Sequence, residues 1–269
     1  MHFEYAKVIT NFIKEGKHDL AESYVDDLVK ASKHQTSSKA FHHSLIHACS
    51  KMGSPAGAIW CALRMVRTGL KPNIVTFNAL LDTAAKTGDI GLAKRLWELV
   101  VDLGLGPNSI TYNTMINAYA KANEVRLAEE WLNKMLVDGM PMCAMSFQSV
   151  IAAFTRVGDY ERAEGWFSAM KQSGVRPDRV IFNSMIWARS SQPAHVEHWL
   201  LEMEKSGLVP DDKAYATMVN LWLKHDCADK AMIWYRKMES HGFRPSKQTL
   251  ASVIEACMTR GDEAGAKQV

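Results

Sequence analysis

Basic residues recur along this sequence at a fixed step that would suit phosphate binding. They are Lys14, Lys51, Lys86, Lys121, Arg156 and Lys224. From Lys51 to Arg156 the step is 35 residues. One positive charge at a constant phase matches a polyanion with regularly spaced phosphates. The same residues also suit the C-terminal ends of helices, where a cation contributes about a few tenths of a kcal/mol. Both interpretations stay open.

One short motif suggests enzyme chemistry. His195-Val196-Glu197 matches the H-x-E element of zinc deaminases, but that element requires a following P-C-x-x-C to supply thiolate ligands. No such motif follows in the sequence, and it contains no P-loop, nucleophile elbow or paired-acid motif. The sequence therefore predicts a protein that is not an enzyme.

A histidine cluster suggests metal binding. His43 and His47 are four residues apart and can share one helix face, with His42 beside them. Two imidazoles without a third ligand make a poor metal site. We therefore expect surface or groove histidines, with no metal and no cofactor.

Composition limits the class of protein. The chain has 269 residues, 47% of them hydrophobic and 23% charged, and a net charge of +3 that permits an anionic partner. Five cysteines without a Cys-x-x-Cys pair disfavour disulfides and zinc and favour a reducing compartment. No apolar run approaches the roughly 20 residues of a membrane span, so membrane insertion is not expected. The first residues resemble neither a signal peptide nor an organelle transit sequence, so any such address would lie outside this chain.

Several residue types share one period. Gly69, Gly104, Gly139 and Gly174 are each 35 residues apart. Tryptophan, methionine and proline follow the same step, with a shorter step of 33 between Gly174 and Gly207. Such self-similarity is the signature of a repeat array.

Boundaries after each Pro-Asn or Pro-Asp divide the chain into units of one array that spans 1–269. The complete units are 39–73, 74–108, 109–143, 144–178 and 212–246. A looser copy occupies 2–38, a shortened one 179–211 and a truncated one 247–269. The truncated copy suggests a section of a longer protein, with a terminal cap as the alternative.

Each unit contains two helices in this interpretation. In 109–143 the apolar residues of the first helix fall at helical spacing, and they are Tyr112, Met115, Ile116 and Tyr119. The second helix carries Ala128, Trp131, Leu132 and Met135 in the same way. The recurrent tryptophan and methionine are therefore expected in the core between hairpins and not in a ligand-binding stripe. The predicted fold is all-α, a right-handed α-solenoid superhelix of stacked helix-turn-helix repeats of about 35 residues.

The unit also has a family resemblance. It opens V-T-[YF]-N, carries A-x-x-W/L and then Met, and closes G-x-x-P-[DN], most clearly at Val75–Asn78, Ile110–Asn113 and Val180–Asn183. Tetratricopeptide repeats differ, with 34 residues and a W-x2-L-G pattern. Over almost its whole length the chain closely resembles the pentatricopeptide repeat family.

The resemblance implies sequence-specific binding of single-stranded RNA, with about one base read per repeat. It implies a role in RNA processing, stability, editing or translation in a mitochondrion or chloroplast, exerted by occupying a site and not by catalysis. The partners would be single-stranded RNA and other RNA-processing proteins. The main alternative is a scaffold of the tetratricopeptide kind that binds a peptide in its groove. A weaker one is a tether for a catalytic domain outside this segment.

The resemblance also assigns residues to each base. One reader follows the aromatic residue near the start of the first helix, and the other is the last residue of the unit. These reader pairs are His43 with Asn73, Asn78 with Asn108, Asn113 with Cys143, Gln148 with Asp178, Asn183 with Asp211, and Ala216 with Ser246. It implies a pyrimidine for Asn78 with Asn108 and uracil for Asn183 with Asp211. The other pairs are not standard ones, and Ala216 has no polar side-chain atom to read a base.

The remaining implied contacts lie on either side of the base. The residues expected to sandwich each base are Val75, Ile110, Met145 and Val180. Lys213 replaces that apolar residue in 212–246, so the C-terminal units are expected to hold the RNA backbone. The shortened unit lacks the recurrent cation because two residues are missing around Ser190–Pro193.

Overall fold

The computed structural model describes residues 2–31 and 39–259, and within these ranges the regular structure is helical, without strands. The first helices along the chain are α1 (His2–Lys14), α2 (His18–Ala31), α3 (Lys39–Lys51), α4 (Pro55–Arg67), α5 (Ile74–Thr87), α6 (Ile90–Asp102), α7 (Ser109–Lys121) and α8 (Val125–Val137). They are followed by α9 (Ala144–Val157), α10 (Tyr160–Gln172), α11 (Arg179–Ala188), α12 (Pro193–Lys205), α13 (Asp212–Lys224), α14 (Ala228–Ser240) and α15 (Lys247–Thr259). The all-α repeat fold predicted from the sequence is confirmed.

The chain divides into two compact units, Met1–Ala153 and Phe154–Val269, and the division falls inside α9. We call them the first and second structural units and describe each by itself. The end of the predicted looser copy, 32–38, and the end of the truncated copy, 260–269, lie outside the described residues.

Within each structural unit, consecutive helices pack as hairpins. α7 packs against α8, α3 against α4 and α5 against α6, while in the second structural unit α13 packs against α14. The apolar face predicted for α7 is buried throughout, with at most 3% of the surface of any of these residues exposed: Tyr112, Met115, Ile116 and Tyr119. Helical spacing of apolar residues was therefore enough to identify which face of this helix packs.

Glycines follow α4, α6, α8, α10, α12 and α14, each the second helix of its hairpin, for a conformational reason. Gly139, after α8, has a φ of +67°, in the left-handed region that only glycine adopts without strain. The backbone there turns so that the Gly139 and Met140 amides donate to the carbonyls of Leu136 and Met135 at 3.1 and 3.0 Å. A Cβ at Gly139 would meet nothing within 4 Å. Backbone conformation, and not crowding, requires glycine at this end of the hairpin.

The recurrent methionines and tryptophans differ in burial. Met135, Met170, Met203 and Met238 are all fully buried, as predicted. Trp199 and Trp234 are also buried, whereas Trp131 and Trp166 are half-buried. The Trp131 ring lies edge-on to Trp97 with centroids 4.5 Å apart. The core assignment thus holds for all four of these methionines and for two of the four tryptophans.

First helices of successive repeats lie side by side. In the first structural unit α5 packs against both α3 and α7, and in the second α13 packs against α15. This arrangement brings the N-terminal turns of α3, α5 and α7 into one layer. Of the helices in 2–31 and 39–259, none has both the length and the apolar character needed to cross a membrane.

Candidate nucleic-acid interface

The last residue of a predicted unit starts the next first helix. Asn73 and Asn108 are the N-caps of α5 and α7, and Asp178 and Asp211 are the N-caps of α11 and α13. The Asp211 Oδ1, for example, accepts a hydrogen bond of 2.8 Å from the Ala214 amide. Asparagine, aspartate and serine are the side chains preferred for this task. These predicted readers therefore have a folding role that the sequence analysis did not recognise.

Asn78 and Asn108 form a hydrogen-bonded pair. The Asn78 Nδ2 donates to the Asn108 Oδ1 at 3.3 Å. The Thr111 hydroxyl lies on α7, the first helix of the next repeat. It donates to the Asn78 Oδ1 at 2.8 Å and accepts from the backbone amide of Asn108 at 3.1 Å. The Asn108 Oδ1 also accepts from the amides of Ile110 and Thr111, each at 3.1 Å. Both predicted readers of this repeat are thus held in one network.

The preceding pair is connected in a similar way. The His43 Nε2 lies 2.9 Å from the Thr76 hydroxyl, and that hydroxyl donates to the Asn73 Oδ1 at 3.2 Å. Burial, and then the positive charge of Lys39, lower the pKa of His43. A neutral imidazole is therefore favoured at this position.

The third pair contains a thiol. The Asn113 Nδ2 donates to the Cys143 Sγ at 3.6 Å, and the Ser146 hydroxyl lies 3.6 Å from the same sulfur. Burial raises the pKa of Cys143, but hydrogen bonds from Ser146, Met145 and Asn113 outweigh that effect and leave the pKa below its ordinary value. The four cysteines whose side chains are described are free thiols.

Apolar side chains predicted to sandwich bases are exposed. Ile110 and Met145 each have 62% of their surface accessible, and Val75 has 53%. These three residues line one open groove of about 550 Å³ together with His43, Ser44, His47, Asn78, Ala79, Asp82 and Thr114. We call it the reader groove. It presents apolar surfaces next to hydrogen-bonding side chains, which is the combination that stacked and edge-read bases require.

The predicted cations all lie in the last turn of a first helix. This holds for Lys14, Lys51, Lys86, Lys121, Arg156 and Lys224. Lys86 has an acidic neighbour: its Nζ lies 2.5 Å from the Asp82 carboxylate, which also accepts from the Ser50 hydroxyl at 2.7 Å. Burial raises the pKa of Asp82, but the bonds to Lys86 and Ser50 leave it below its ordinary value. The positive charge at this repeat is therefore partly neutralised.

The histidines singled out from the sequence have structural surroundings. His42 is buried, so its assignment to the surface or groove was wrong, whereas His47 is exposed and lines the reader groove. The His195 Nε2 lies 2.9 Å from the Met185 carbonyl, and Glu197 accepts from the Trp234 indole at 3.0 Å. Across the described residues, no three His, Cys, Asp or Glu side chains are grouped to hold a metal ion.

In the second structural unit the pair Asn183 and Asp211 is not linked. Asn183 is half-buried, and no hydrogen bond joins it to Asp211 in the described part of the chain. Ala214, at the position equivalent to Thr111, has no hydroxyl. Val180 is 50% exposed, and the predicted sandwich residues of the first structural unit are exposed too.

The other predicted residues are also placed by the structure. Ala216 is half-buried on α13, and the Ser246 hydroxyl accepts from the Thr249 amide at 3.1 Å. Gln148 is half-buried on α9 in the first structural unit. Asp178, its predicted partner, belongs to the second structural unit and accepts from the Ile181 amide at 3.0 Å. The assignment of Gln148 and Asp178 to one reader pair stays a prediction from the sequence.

α11 has ten residues and carries no basic residue in its last turn. Arg189 follows as its C-cap, and its guanidinium lies 4.4 Å from the centroid of the Tyr160 ring. The shortened repeat therefore lacks a cation in the last turn of α11, as expected from the sequence. The arginine that follows α11 is stacked on an aromatic ring.

Family models match much of the chain. A PPR repeat family model matches residues 72–121, a PPR repeat model matches 110–140 and 213–243, and a pentatricopeptide repeat domain model matches 130–189. Together they cover more than half of the sequence. The chain belongs to the pentatricopeptide repeat family. No curated protein sequence matches it significantly.

Solved structures with a similar fold include pentatricopeptide repeat proteins. PPR10 from maize is 22% identical, with a TM-score of 0.56, over 92% of this chain and 40% of that one. PPR10 in complex with an 18-nt psaJ RNA element is 20% identical, with a TM-score of 0.50, over 92% and 42%. Nuclear protein-only RNase P 2 of Arabidopsis thaliana is 14% identical, with a TM-score of 0.51, over 69% and 41%. The chain spans about two fifths of the length of these structures.

Two features of this pentatricopeptide repeat chain were missed from the sequence. The first is the buried hydroxyl of Thr76, Thr111 and Ser146, which contacts a reader in each case. Its signal was an Asn or Cys followed three residues later by Thr or Ser, the spacing of a helix cap. The second is Asp82, four residues before Lys86, a spacing that predicts an ion pair on one helix face.

Proposed function

We propose that this chain binds single-stranded RNA along the N-terminal turns of its first helices, about one base per repeat. The observation that carries the proposal is the reader groove, where the exposed side chains Val75, Ile110 and Met145 stand beside polar pairs. Exposed apolar surface of this kind marks an interaction site. The complex of PPR10 with an RNA element supports RNA as the ligand of a chain with this fold. Bases would stack between successive apolar residues while their edges meet the reader pairs.

The base preferences we propose follow the family assignment. Asn78 with Asn108 would accept a pyrimidine, and Asn183 with Asp211 would accept uracil. An asparagine amide both donates and accepts, so it can match the mixed edge of a pyrimidine. The pairs containing His43, Cys143, Gln148 and Ala216 would contribute contact with weak discrimination.

Phosphates would contact the cations in the last turns of the first helices. Each such contact releases counterions, so affinity should fall as salt rises. Asp82 would reduce the contribution of Lys86, whereas no acidic side chain is paired with Lys121 in the described part of the chain.

The biological role we propose is occupancy of an RNA site without catalysis, in a mitochondrion or chloroplast, with an effect on RNA processing, stability, editing or translation. Family membership is what supports this part of the proposal. Other RNA-processing proteins would act on or beside the occupied RNA.

The central test is selection from a randomised RNA pool at several salt concentrations. We expect an enriched motif and a binding constant that falls with salt. Replacing Ile110 by Ala should weaken binding about fivefold, since the one or two methylene groups of Ile110 that a base would bury contribute about 1 kcal/mol. Val137→Ala is the matched control, because Val137 is 80% exposed but lies on a second helix. Failure of any single strand to bind with salt dependence would reject the proposal, and capture of a peptide by the groove would favour the scaffold alternative.

The register has its own test. Asn183→Thr with Asp211 retained should shift the preference at that base from uracil toward guanine, as the family assignment implies. Selection from the same pool reads the result directly. An unchanged motif would show that Asn183 does not face the assigned base.

A further inference from the structure

We propose that the buried hydroxyl at the third residue of a first helix positions the reader pair of the preceding repeat. At the Asn78 and Asn108 pair this residue is Thr111. The inference rests on the proposed RNA binding and adds to it a residue that does not touch the RNA.

Proton counting at Thr111 identifies what the hydroxyl does. A hydroxyl has one proton to donate, and of its two possible acceptors the Asn78 Oδ1 at 2.8 Å is nearer than the Asn108 Oδ1 at 3.1 Å. The Thr111 oxygen in turn accepts from the backbone amide of Asn108 at 3.1 Å. With the bond from the Asn78 Nδ2 to the Asn108 Oδ1, these contacts close a cycle through three residues.

The cycle selects one orientation of the Asn78 amide. Rotated by half a turn, the Asn78 Oδ1 would face the Asn108 Oδ1, two acceptors without a proton between them. The Thr111 hydroxyl would then lose its acceptor on Asn78. The atom that Asn78 presents to the groove is therefore determined before a base arrives, which reduces the ordering cost of binding.

Burial excludes direct contact between Thr111 and a ligand. Its side chain is completely inaccessible, whereas Asn78 is half-buried and lines the reader groove. Thr111 can affect a base only through Asn78 and Asn108. It is a positioning residue.

The same arrangement recurs where the residue type allows it. Thr76 contacts both His43 and Asn73, and Ser146 contacts Cys143, which is bonded to Asn113. Both hydroxyl residues are fully buried. Three consecutive reader pairs of the first structural unit are thus each contacted by a buried hydroxyl from the following helix.

The pair Asn183 and Asp211, in the second structural unit, provides the contrast. Ala214 takes the place of Thr111 beside Asn183 and Asp211, and no hydrogen bond joins that pair in the described residues. The N-cap bond from the Ala214 amide to Asp211 is still present at 2.8 Å. Capping therefore occurs without the hydroxyl, while linkage of the readers does not.

The experiment compares Thr111→Val, which keeps the shape and removes the hydroxyl, with wild type. RNAs that differ only at the base assigned to Asn78 are titrated against both proteins. We expect the ratio of pyrimidine to purine affinity to fall about threefold to tenfold, the effect of one lost hydrogen bond. Affinity for the best RNA should fall less than this ratio. Thr111→Ser should restore the ratio.

Thr83→Val is the matched control. Thr83 is a buried threonine of α5 whose hydroxyl donates to the Ala79 carbonyl at 2.8 Å and contacts neither reader. Thr83→Val should leave the ratio of pyrimidine to purine affinity unchanged. Its loss of stability measures the effect of removing a buried hydroxyl that contacts no reader.

A second measurement reads the same proposal without RNA. In nuclear magnetic resonance spectra the Asn78 side-chain amide should lose its protection from solvent exchange in Thr111→Val and keep it in Thr83→Val. If Thr111→Val lowers stability but leaves both the base ratio and the Asn78 amide unchanged, Thr111 only supports the helix start and the inference is overturned. Wild-type protein that binds no RNA would instead reject the proposed function, and with it the effect of Thr111 on base recognition.

Discussion

Two reader pairs with similar residues behave differently in this molecule. Asn78 and Asn108 are joined directly and through Thr111. Asn183 and Asp211 are not joined, although Asp211 caps its helix as Asn108 does. The residue that distinguishes them is buried and lies on the next helix, Thr111 in one case and Ala214 in the other. The geometry of a reader pair thus depends on a residue outside the repeat to which the pair belongs.

The two repeats also differ in charge and helix length. α5 has 14 residues and ends with Lys86 held by Asp82, whereas α11 has ten and no basic residue in its last turn. Trp187 occupies the position equivalent to Asp82. The hydrogen-bonded pair Asn78 and Asn108 therefore belongs to a repeat whose cation, Lys86, is paired with an aspartate. The pair Asn183 and Asp211 belongs to a repeat without a cation in the last turn of its first helix.

The largest expected effect separates the two caps. Asn108→Ala should lower the free energy of unfolding by about 1–2 kcal/mol, because two helix amides and Asn78 lose their acceptor. Asp211→Ala should cost about 0.5–1 kcal/mol, since one amide loses its acceptor. Urea denaturation followed by circular dichroism measures both. Equal losses would show that the linkage to Asn78 adds nothing to stability.

A smaller effect concerns the charge contrast. Asp82→Asn should raise RNA affinity about threefold at low salt, because a partly exposed ion pair of about 0.2–1 kcal/mol no longer competes for Lys86. The gain should shrink as salt rises. Asp102→Asn is the control, since it removes the same charge from the exposed end of α6, a second helix. Fluorescence anisotropy with labelled RNA measures both, and an identical gain in the control would reduce the effect to net charge.

Adding the missing hydroxyl should narrow the difference between the pairs. Ala214→Ser places a hydroxyl at the third residue of α13 with little added volume. We expect the preference for uracil at the base assigned to Asn183 to sharpen about twofold, a smaller effect than the loss in Thr111→Val because Asn183 and Asp211 have no existing bond to complete. Competition binding with matched RNAs tests this expectation. Ala214→Gly lacks the hydroxyl and should show no gain.

The smallest effect distinguishes His43 from the amide readers. Because burial and Lys39 lower the pKa of His43, its folded-state value lies below the unfolded value of about 6.5. The contribution of His43 to stability is therefore present above that pH and is lost as pH falls through the folded-state pKa. Histidine resonances should show a titration midpoint below the ordinary value. His43→Gln should remove this part of the pH dependence between about pH 7 and 5, whereas a steeper dependence in the variant would contradict the assignment.

The fold was predictable because its signals are local and repeated. The 35-residue period identified the repeat, and helical spacing identified the buried face of α7 at Tyr112, Met115 and Ile116. Glycine at the hairpin ends followed from its left-handed conformation. Exposure of the tryptophans was less predictable, because Trp131 packs edge-on to Trp97 from the neighbouring hairpin. That contact depends on a residue outside the repeat.

The helix on which each candidate residue lies was predictable from the sequence, but the contacts between these residues were not. The sequence analysis placed the cations near the ends of first helices, where the structure has them. It did not show that Asn108 caps α7, that Thr111 joins both asparagines, or that Asp82 holds Lys86. These relations depend on which side chains face each other across two helices. The base assigned to each pair, and the role of each cation, remain predictions.

The helix-capping role of the terminal readers restricts how such a module can change. Side chains able to start a helix are few, mainly asparagine, aspartate, serine and threonine. A substitution at Asn73, Asn108 or Asp211 to a side chain outside this group would also destabilise the first turn of the adjoining helix by about 0.5–2 kcal/mol. Few side chains can therefore serve both as helix cap and as reader at that position. New base specificities would arise more readily by substitution of the other reader, which lies on the face of the first helix, as Asn78 does. Retargeting such a module by design should begin at the helix-face residue.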